Sequence, residues 1–514
     1  MWDKKTLECF EEILETSKKG GGERRIEKQH ASGKLTARER LELLFDKGTF
    51  NEVDGLIESR IEDFGLKDKK VPGDGVVTGY GKINGRTVFA ASEDFTVIGG
   101  TLGEYHSLKI CNVMDMALSV KAPFISINDS GGARIEEGIS SLAGYSGIFY
   151  RNTKLSGVVP QISVILGPCA GGACYSPAIC DFIFMNRNNS KMFITGPQVV
   201  KAVTGENVTA EDLGSADIHS TKSGVNHFVY DTDEQCLEGV RKLLSYLPSN
   251  NEEYPQITES LYTKTCDDLQ EVVPDNQRKI YDVKTVIDKL TDDDSFFEVQ
   301  RGFALNIVVG FSRINGRSVG IVANQPNFLG GSLDCDSSDK AARFIRFCDC
   351  FNIPIISLID VTGFLPGKNQ EHLGIIRHGA KLLYAYSEAT IPKVSLILRK
   401  AYGGAYIAMN SKNMGADIVY AWPIAQIAVM GAEGAVDIIF RRQINEAVDK
   451  TVERNNFINE YEEKFMNPYI AAQRGYVNEI ILPENSREKI ISALDLLENK
   501  QSERIYRKHG NMPL

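Results

Sequence analysis

Gly79-Tyr-Gly-Lys-Ile-Asn-Gly-Arg-Thr87 returns as Gly310-Phe-Ser-Arg-Ile-Asn-Gly-Arg-Ser318, 231 positions further along the chain. The same displacement carries Ile98-Gly99-Gly100 onto Leu329-Gly330-Gly331, and Pro123–Asp129 onto Pro354–Asp360. One residue more, 232, pairs Pro160 with Pro392 and Gly171-Gly172 with Gly403-Gly404. A register held over roughly a hundred residues marks an internal duplication.

Each copy reads alike. The Asn-Gly pair supplies the positive φ angles of a type I′ turn and predicts a β-hairpin. A Gly-Gly loop and a helical stretch follow, 103–121 in the first copy and 337–352 in the second. Short apolar runs (124–127 and 355–359, then 162–166 and 394–398) are expected to be strands buried on both faces. The second of these leads through a glycine turn into a helix starting near Gly172 or Gly404. Strands alternating with helices imply an α/β fold. A polar, Pro-containing break at 248–278 separates the copies, which places the domains at 1–260 and 261–514. Outside them, residues 1–47 read as helical, with a capping box at Thr36-Ala-Arg-Glu39, and a last helix is expected over 487–500.

At 514 residues the chain exceeds the size of a single hydrophobic core, so two domains are the natural expectation. A formal charge of -10 gives no global attraction to a phosphate polymer, which argues against a nucleic-acid partner. Charges are mixed from the first residues and no apolar run reaches membrane-span length, so a cytoplasmic location is expected. The ten cysteines are scattered in apolar runs and read as reduced packing residues rather than disulfides or zinc ligands.

The two glycine turns carry the chemistry. Side-chain-free Gly171-Gly172 lets a ligand oxygen approach the main chain, and the following helix start aims unsatisfied N–H groups at that point. Such a turn stabilises an oxyanion. Gly403-Gly404-Ala405 repeats the design. The alternative is that each Gly-Gly merely permits tight helix-to-strand packing, and the turns alone leave the choice open.

Neighbouring segments extend the reading. Asn128-Asp-Ser-Gly-Gly-Ala-Arg134, Ile165-Leu-Gly-Pro-Cys-Ala-Gly-Gly-Ala173, Ile375-Ile-Arg-His-Gly-Ala-Lys381, Arg399-Lys-Ala-Tyr-Gly-Gly-Ala405 and Tyr420-Ala-Trp-Pro423 resemble the signature segments of the biotin-dependent carboxyltransferase family. The likeness is greatest to its propionyl-CoA carboxylase β and methylmalonyl-CoA decarboxylase α branches, and spans nearly the whole chain. It implies two tandem crotonase-like (ClpP/crotonase) domains related by internal duplication, the first on the acyl-CoA side and the second on the biotin side. The active site would lie at a dimer interface of a homo-oligomer, expected to be a hexamer. The reaction implied moves a carboxyl group between carboxybiotin and the α-carbon of a short acyl-CoA, of the propionyl/methylmalonyl type.

By position, the N–H groups of Gly171 and Gly172 would hold the thioester oxygen as it becomes an enolate. Those of Gly404 and Ala405 would hold the biotin ureido oxygen. The matching motifs place Ala133, Arg134, Tyr175 and Ile407 with the acyl-CoA, and Gly403, Thr362, Phe364 and Gly431 with biotin; no residue is assigned to a metal. No Ala-Met-Lys-Met biotinylation motif or ATP-grasp phosphate loop is present. Carboxybiotin must then come on a separate biotin carboxyl carrier protein, with a biotin carboxylase or a membrane decarboxylase subunit as further partners.

Apolar Ile407 departs from the acidic residue that can stand there in propionyl-preferring relatives, so acetyl-CoA or glutaconyl-CoA stays open as substrate. Thr362 and Leu373 depart from Pro and Gly. A cofactor-free hydratase or hydrolase and a non-catalytic CoA-binding scaffold are the other readings. Ser130 lacks the Gly-x-Ser-x-Gly elbow of a nucleophile. Asp129 and Asp360 are expected to organise loops, Arg377 and His378 to pack, and the basic run over residues 18–40 to form a solvated or subunit-facing surface or to meet CoA phosphates.

Overall fold

The computed structural model describes residues 3–502 and 506–513, and the chain divides into two compact units, Met1–Glu253 and Tyr254–Leu514. The division falls inside the polar break, a few residues before the expected 260.

Unit one is built on strands β1 (Asn51–Val53), β2 (Val76–Ile83), β3 (Arg86–Glu93), β4 (Phe124–Ser130), β5 (Gln161–Ala170), β6 (Phe182–Asn186), β7 (Lys191–Phe193) and β8 (Phe228–Tyr230). Their order across the sheet is β1-β2-β3-β4-β5-β6-β8, with β7 alongside the end of β5. Unit two repeats this with β9 (Phe297–Val299), β10 (Ile307–Ile314), β11 (Arg317–Asn324), β12 (Ile355–Val361), β13 (Lys393–Tyr402), β14 (Ile418–Ala421), β15 (Gln426–Ala428) and β16 (Glu479–Ile480). Its order is β16-β14-β13-β12-β11-β10-β9, and β15 lies alongside β13.

The Asn-Gly pairs turn both hairpins as expected, at φ 50 and 78° for Asn84 and Gly85, and 53 and 74° for Asn315 and Gly316. From β3 to β4 and β11 to β12 the pairing becomes parallel. The crossover helices Glu104–Val120 and Cys335–Cys350 supply that connection, as parallel neighbours require. All residues of β4 and β12 are buried, which explains their unbroken apolar reading.

The duplication extends to buried polar detail. Lys109 and Lys340 are 231 apart, and each is sunk into its unit with its ammonium on backbone carbonyls of the segment entering the hairpin. Lys109 donates to Gly73 and Val76; Lys340 donates to Gln300, Phe303 and Ile307 at 3.1, 2.7 and 2.9 Å. Burial pushes the two amines down to about 8 and about 7.

Candidate active site

In each unit the central parallel strand runs out of the sheet into a glycine turn. β5 passes into a one-turn 3-10 helix at Gly171–Cys174, followed by the helix Tyr175–Ile179. β13 passes directly into the helix Gly403–Ala408. Gly171 and Gly403 both take positive φ, 63 and 61°, a conformation that costs a side-chain-bearing residue about 1 kcal/mol or more. The first-turn N–H groups have no carbonyl a turn earlier to receive them, and no side chain caps either turn.

Beneath the first turn lies Tyr145, whose ring a Cβ on Gly172 would approach to 3.1 Å. Its ring stacks on Phe149, which meets half-exposed Tyr175 edge-on at 6.0 Å. Ala133 reaches the same place through its neighbour, since a Cβ on Gly132 would stand 2.9 Å from the Ala170 carbonyl. Gly171, Gly172, Ala133 and Tyr175 therefore gather at the C-terminal end of β5.

The second turn is furnished differently. Ala133 bridges to Leu102, and its counterpart 231 residues on, Phe364, bridges to Leu333. A Cβ on Gly404 would stand 3.9 Å from the Phe364 ring, and one on Gly431 would stand 3.7 Å from the Tyr402 ring. Thr362 Oγ1 shares a 2.7 Å hydrogen bond with Ser332 Oγ. Gly404 and Ile407 are exposed on this helix, while Ala405 is buried. Thr362, Phe364, Gly403, Gly404 and Gly431 thus form one neighbourhood, with an aromatic ring where the first unit has only a methyl group.

A buried aspartate stands near the end of the strand beside each turn. Asp129 receives Lys34 Nζ at 2.7 Å, Arg40 Nη1 at 3.0 Å and Gln29 Nε2 at 3.2 Å. Asp360 receives Arg399 Nε at 3.1 Å, the Tyr281 hydroxyl at 3.0 Å and the Lys400 N–H at 3.1 Å. Both act as loop organisers, as expected. Arg399 corresponds to Gly167 in the first copy, where a Cβ would come within 1.9 Å of Asp129 Oδ1. The space an arginine fills in unit two is opened in unit one to cations arriving from residues 29–40.

The side chain of Arg134 faces inward. It is buried, and its guanidinium pairs with Asp74 Oδ1 at 2.8 Å and Glu137 Oε1 at 2.7 Å while donating to the Thr101 carbonyl. The side chain fastens the loop before the helix Ile139–Leu155, and its Nε is buried without a hydrogen-bond partner. Ser130 Oγ donates to the Gly100 carbonyl at 2.6 Å, and His378 pairs with Asp339 at 2.8 Å. Of the basic run, Lys34, Arg38 and Arg40 are tied to protein carboxylates, while Lys18, Lys19, Arg24 and Lys28 stay exposed.

Sequence reasoning missed Tyr145, Glu93, Ser332 and Tyr402. The first two lie on segments that meet the turn only after folding, so no motif marks them. Cys169 and Cys174 flank the first turn; Cys174 Sγ donates to the carbonyls of Cys169 and Phe193 at 2.9 and 3.1 Å. All ten cysteines are unbridged. Among the described residues no group of three or more His, Cys, Asp or Glu converges on a point that would hold a metal ion, and no helix is long and apolar enough to cross a membrane.

Comparison with known proteins supplies the remaining context. Residues 28–512 match the carboxyl transferase domain family. The chain is 57% identical over 510 residues to a propionyl-CoA carboxylase carboxyltransferase subunit of Haloferax mediterranei, covering 99% of each chain. It is 56% identical over 497 residues to a methylmalonyl-CoA decarboxylase subunit alpha of Propionigenium modestum, covering 96% of each. The solved transcarboxylase 12S, a hexamer with methylmalonyl-CoA bound, superposes with a TM-score of 0.97 at 53% identity, covering 99% of this chain and 98% of that one. The duplicated sheets, the paired glycine turns and these full-length likenesses lead to one conclusion: the chain belongs to the carboxyl transferase family.

Proposed function

We propose that the chain is the carboxyltransferase component of a biotin-dependent system acting on a short acyl-CoA of the propionyl/methylmalonyl type. The single observation that carries this is the pairing of two uncapped glycine turns, one floored by Tyr145 and the other bordered by Phe364, in a chain whose relatives carry those substrate names from end to end.

In this reading the amides at Gly171 and Gly172 bind the acyl thioester oxygen. Donors fixed where negative charge develops lower the barrier without reorganising, and losing one costs on the order of 100- to 1,000-fold in rate. Gly404 and Ala405 do the same for the ureido oxygen of biotin. The neighbourhood fits that flat group: Gly404 presents bare backbone, and the Phe364 ring stands beside it. Carboxybiotin, brought on a separate carrier protein, supplies the carboxyl group and a ring nitrogen able to take the α-proton. Tyr175 and Ala133 border the acyl side, Ile407 limits the acyl chain, and Thr362 and Gly431 shape the biotin side. Assembly is proposed to be homo-oligomeric, of the kind the transcarboxylase 12S hexamer displays.

The test is direct. The purified chain, incubated with methylmalonyl-CoA and free biotin, should release CO2 in a biotin-dependent manner. Biotin-independent turnover would support the hydratase or hydrolase alternative, and absence of turnover with every short acyl-CoA would remove the proposal.

A further inference from the structure

Below the Gly171-Gly172 turn, unit one contains a cavity of about 30 Å³ whose lining includes Glu93, Ser126, Asn128, Tyr145, Ala173 and Ser176. Its wall is mostly apolar, with Leu102, Ile110, Phe124, Ile127 and Ile148 among the lining, but the polar residues that share it are enough in number to hold one ordered water. Tyr145 is 5% exposed, and its hydroxyl faces Ser130 in a contact too loose for a full hydrogen bond, with Glu93 also near. A buried hydroxyl left that way costs about 1–3 kcal/mol, which makes a bound water its natural partner.

Glu93 is as deeply placed. Its Oε2 accepts the Asp129 N–H at 2.9 Å, and its Oε1 stands 3.8 Å from His106 Nε2, too far for a direct hydrogen bond. His106 donates through Nδ1 to the Asp74 carbonyl, so Nε2 carries no proton, and burial holds that imidazole neutral.

We propose that Glu93 and Tyr145 are positioning residues for the acyl-CoA turn, holding ordered water in this cavity as an uncharged floor beneath Gly172 and Ala173. The inference rests on the assignment of that turn to the acyl-CoA. The physical reason is electrostatic. A carboxylate fixed under the turn would oppose the negative charge that forms on the thioester oxygen, and in a dry interior that repulsion is weakly screened. A neutral carboxylic acid instead donates a hydrogen bond and leaves the field of the amides intact, the logic by which buried acids serve other oxyanion sites. Burial pushes Glu93 up to about 8; the Asp129 carboxylate adds to the rise, while the Asp129 N–H bond and Arg40 oppose it. The other groups facing Glu93 are neutral His106, Tyr145 and Cys169.

The experiment uses the full chain with methylmalonyl-CoA and free biotin, read from mildly acidic pH to about 9. The wild type should lose turnover with a midpoint at about 8, and Glu93→Gln should lack that alkaline fall. Tyr145→Phe keeps the ring under Gly172 but removes the hydroxyl, and should lower kcat about fivefold with KM for methylmalonyl-CoA within about twofold. An alkaline fall retained in Glu93→Gln, or an unchanged kcat in Tyr145→Phe, overturns the proposal. Should Glu93→Gln fail to fold, the infrared carbonyl band of a neutral carboxylic acid decides: its presence at neutral pH and loss near about 8 support the floor, and its absence at neutral pH overturns it. Wild-type inactivity at every pH would instead count against the carboxyltransferase assignment, and the infrared titration still judges Glu93.

Discussion

The ring of Tyr145 forms the floor under Gly172, so close that a single added methyl group at Gly172 would stand 3.1 Å from its Cδ2 atom. Gly172 has no positive φ, so its requirement for glycine is one of space and access rather than of backbone conformation.

Gly172→Ala should therefore fold with a nearly unchanged melting temperature yet lift the turn off Tyr145. CO2 release from methylmalonyl-CoA with free biotin is expected to fall on the order of 100-fold, the loss of one oxyanion donor. Equal activity of variant and wild type would mean that the acyl oxygen is held elsewhere.

Phe364 sets the second turn apart. Phe364→Ala removes the ring beside Gly404, and aromatic contacts of this kind contribute about 0.5–1.5 kcal/mol. The KM for free biotin should rise up to about tenfold while the KM for methylmalonyl-CoA stays put. Initial-rate kinetics with each substrate varied in turn would show it; a rise confined to the acyl-CoA would reverse the assignment of the two units.

Removing the charge of Asp129 leaves Lys34 buried without its anion and Arg40 with Asp233 alone. Asp129→Asn is expected to destabilise the chain by about 3–5 kcal/mol, as broken buried pairs do. Denaturant unfolding should show this in the first transition to melt, and Lys34→Met on the same background should restore part of the loss, because fewer unpaired charges then remain inside.

Glu93 makes stability depend on pH in a defined direction. The folded chain holds its proton up to about 8, against an ordinary value of 4.5, so between those values the folded state binds more protons than the unfolded one. Stability from this group is full below 4.5 and declines as pH rises toward 8, by up to about 5 kcal/mol at 1.36 kcal/mol per pH unit. Calorimetry across that window should show Glu93→Gln gaining on the wild type as pH rises. A constant difference would mean that Glu93 is ionised throughout.

Much of this protein was legible before folding. The duplication, both hairpins, the buried parallel strands and the glycine turns are written in local pattern, because Asn-Gly turns and apolar runs act over a few residues. Even the capping box at Thr36 and Glu39 forms as expected. The first turn departs slightly: a 3-10 turn at Gly171–Cys174 precedes the helix, whereas Gly403 enters its helix at once.

What chain order could not disclose is which distant side chains meet. Arg134 sits in a signature segment, yet its guanidinium turns inward to Asp74, 60 residues away in sequence. Asp129 and Asp360 occupy one position of the repeat, but Gly167 admits Lys34 and Arg40 to the first whereas Arg399 alone fills that space for the second. Sequence by itself determined the doubled scaffold and the backbone chemistry of its two turns, since these depend on local conformation. Only the tertiary structure decided their furnishing, a phenol floor with a buried acid under one and an aromatic ring beside the other, because burial, pairing and desolvation exist only once remote segments pack.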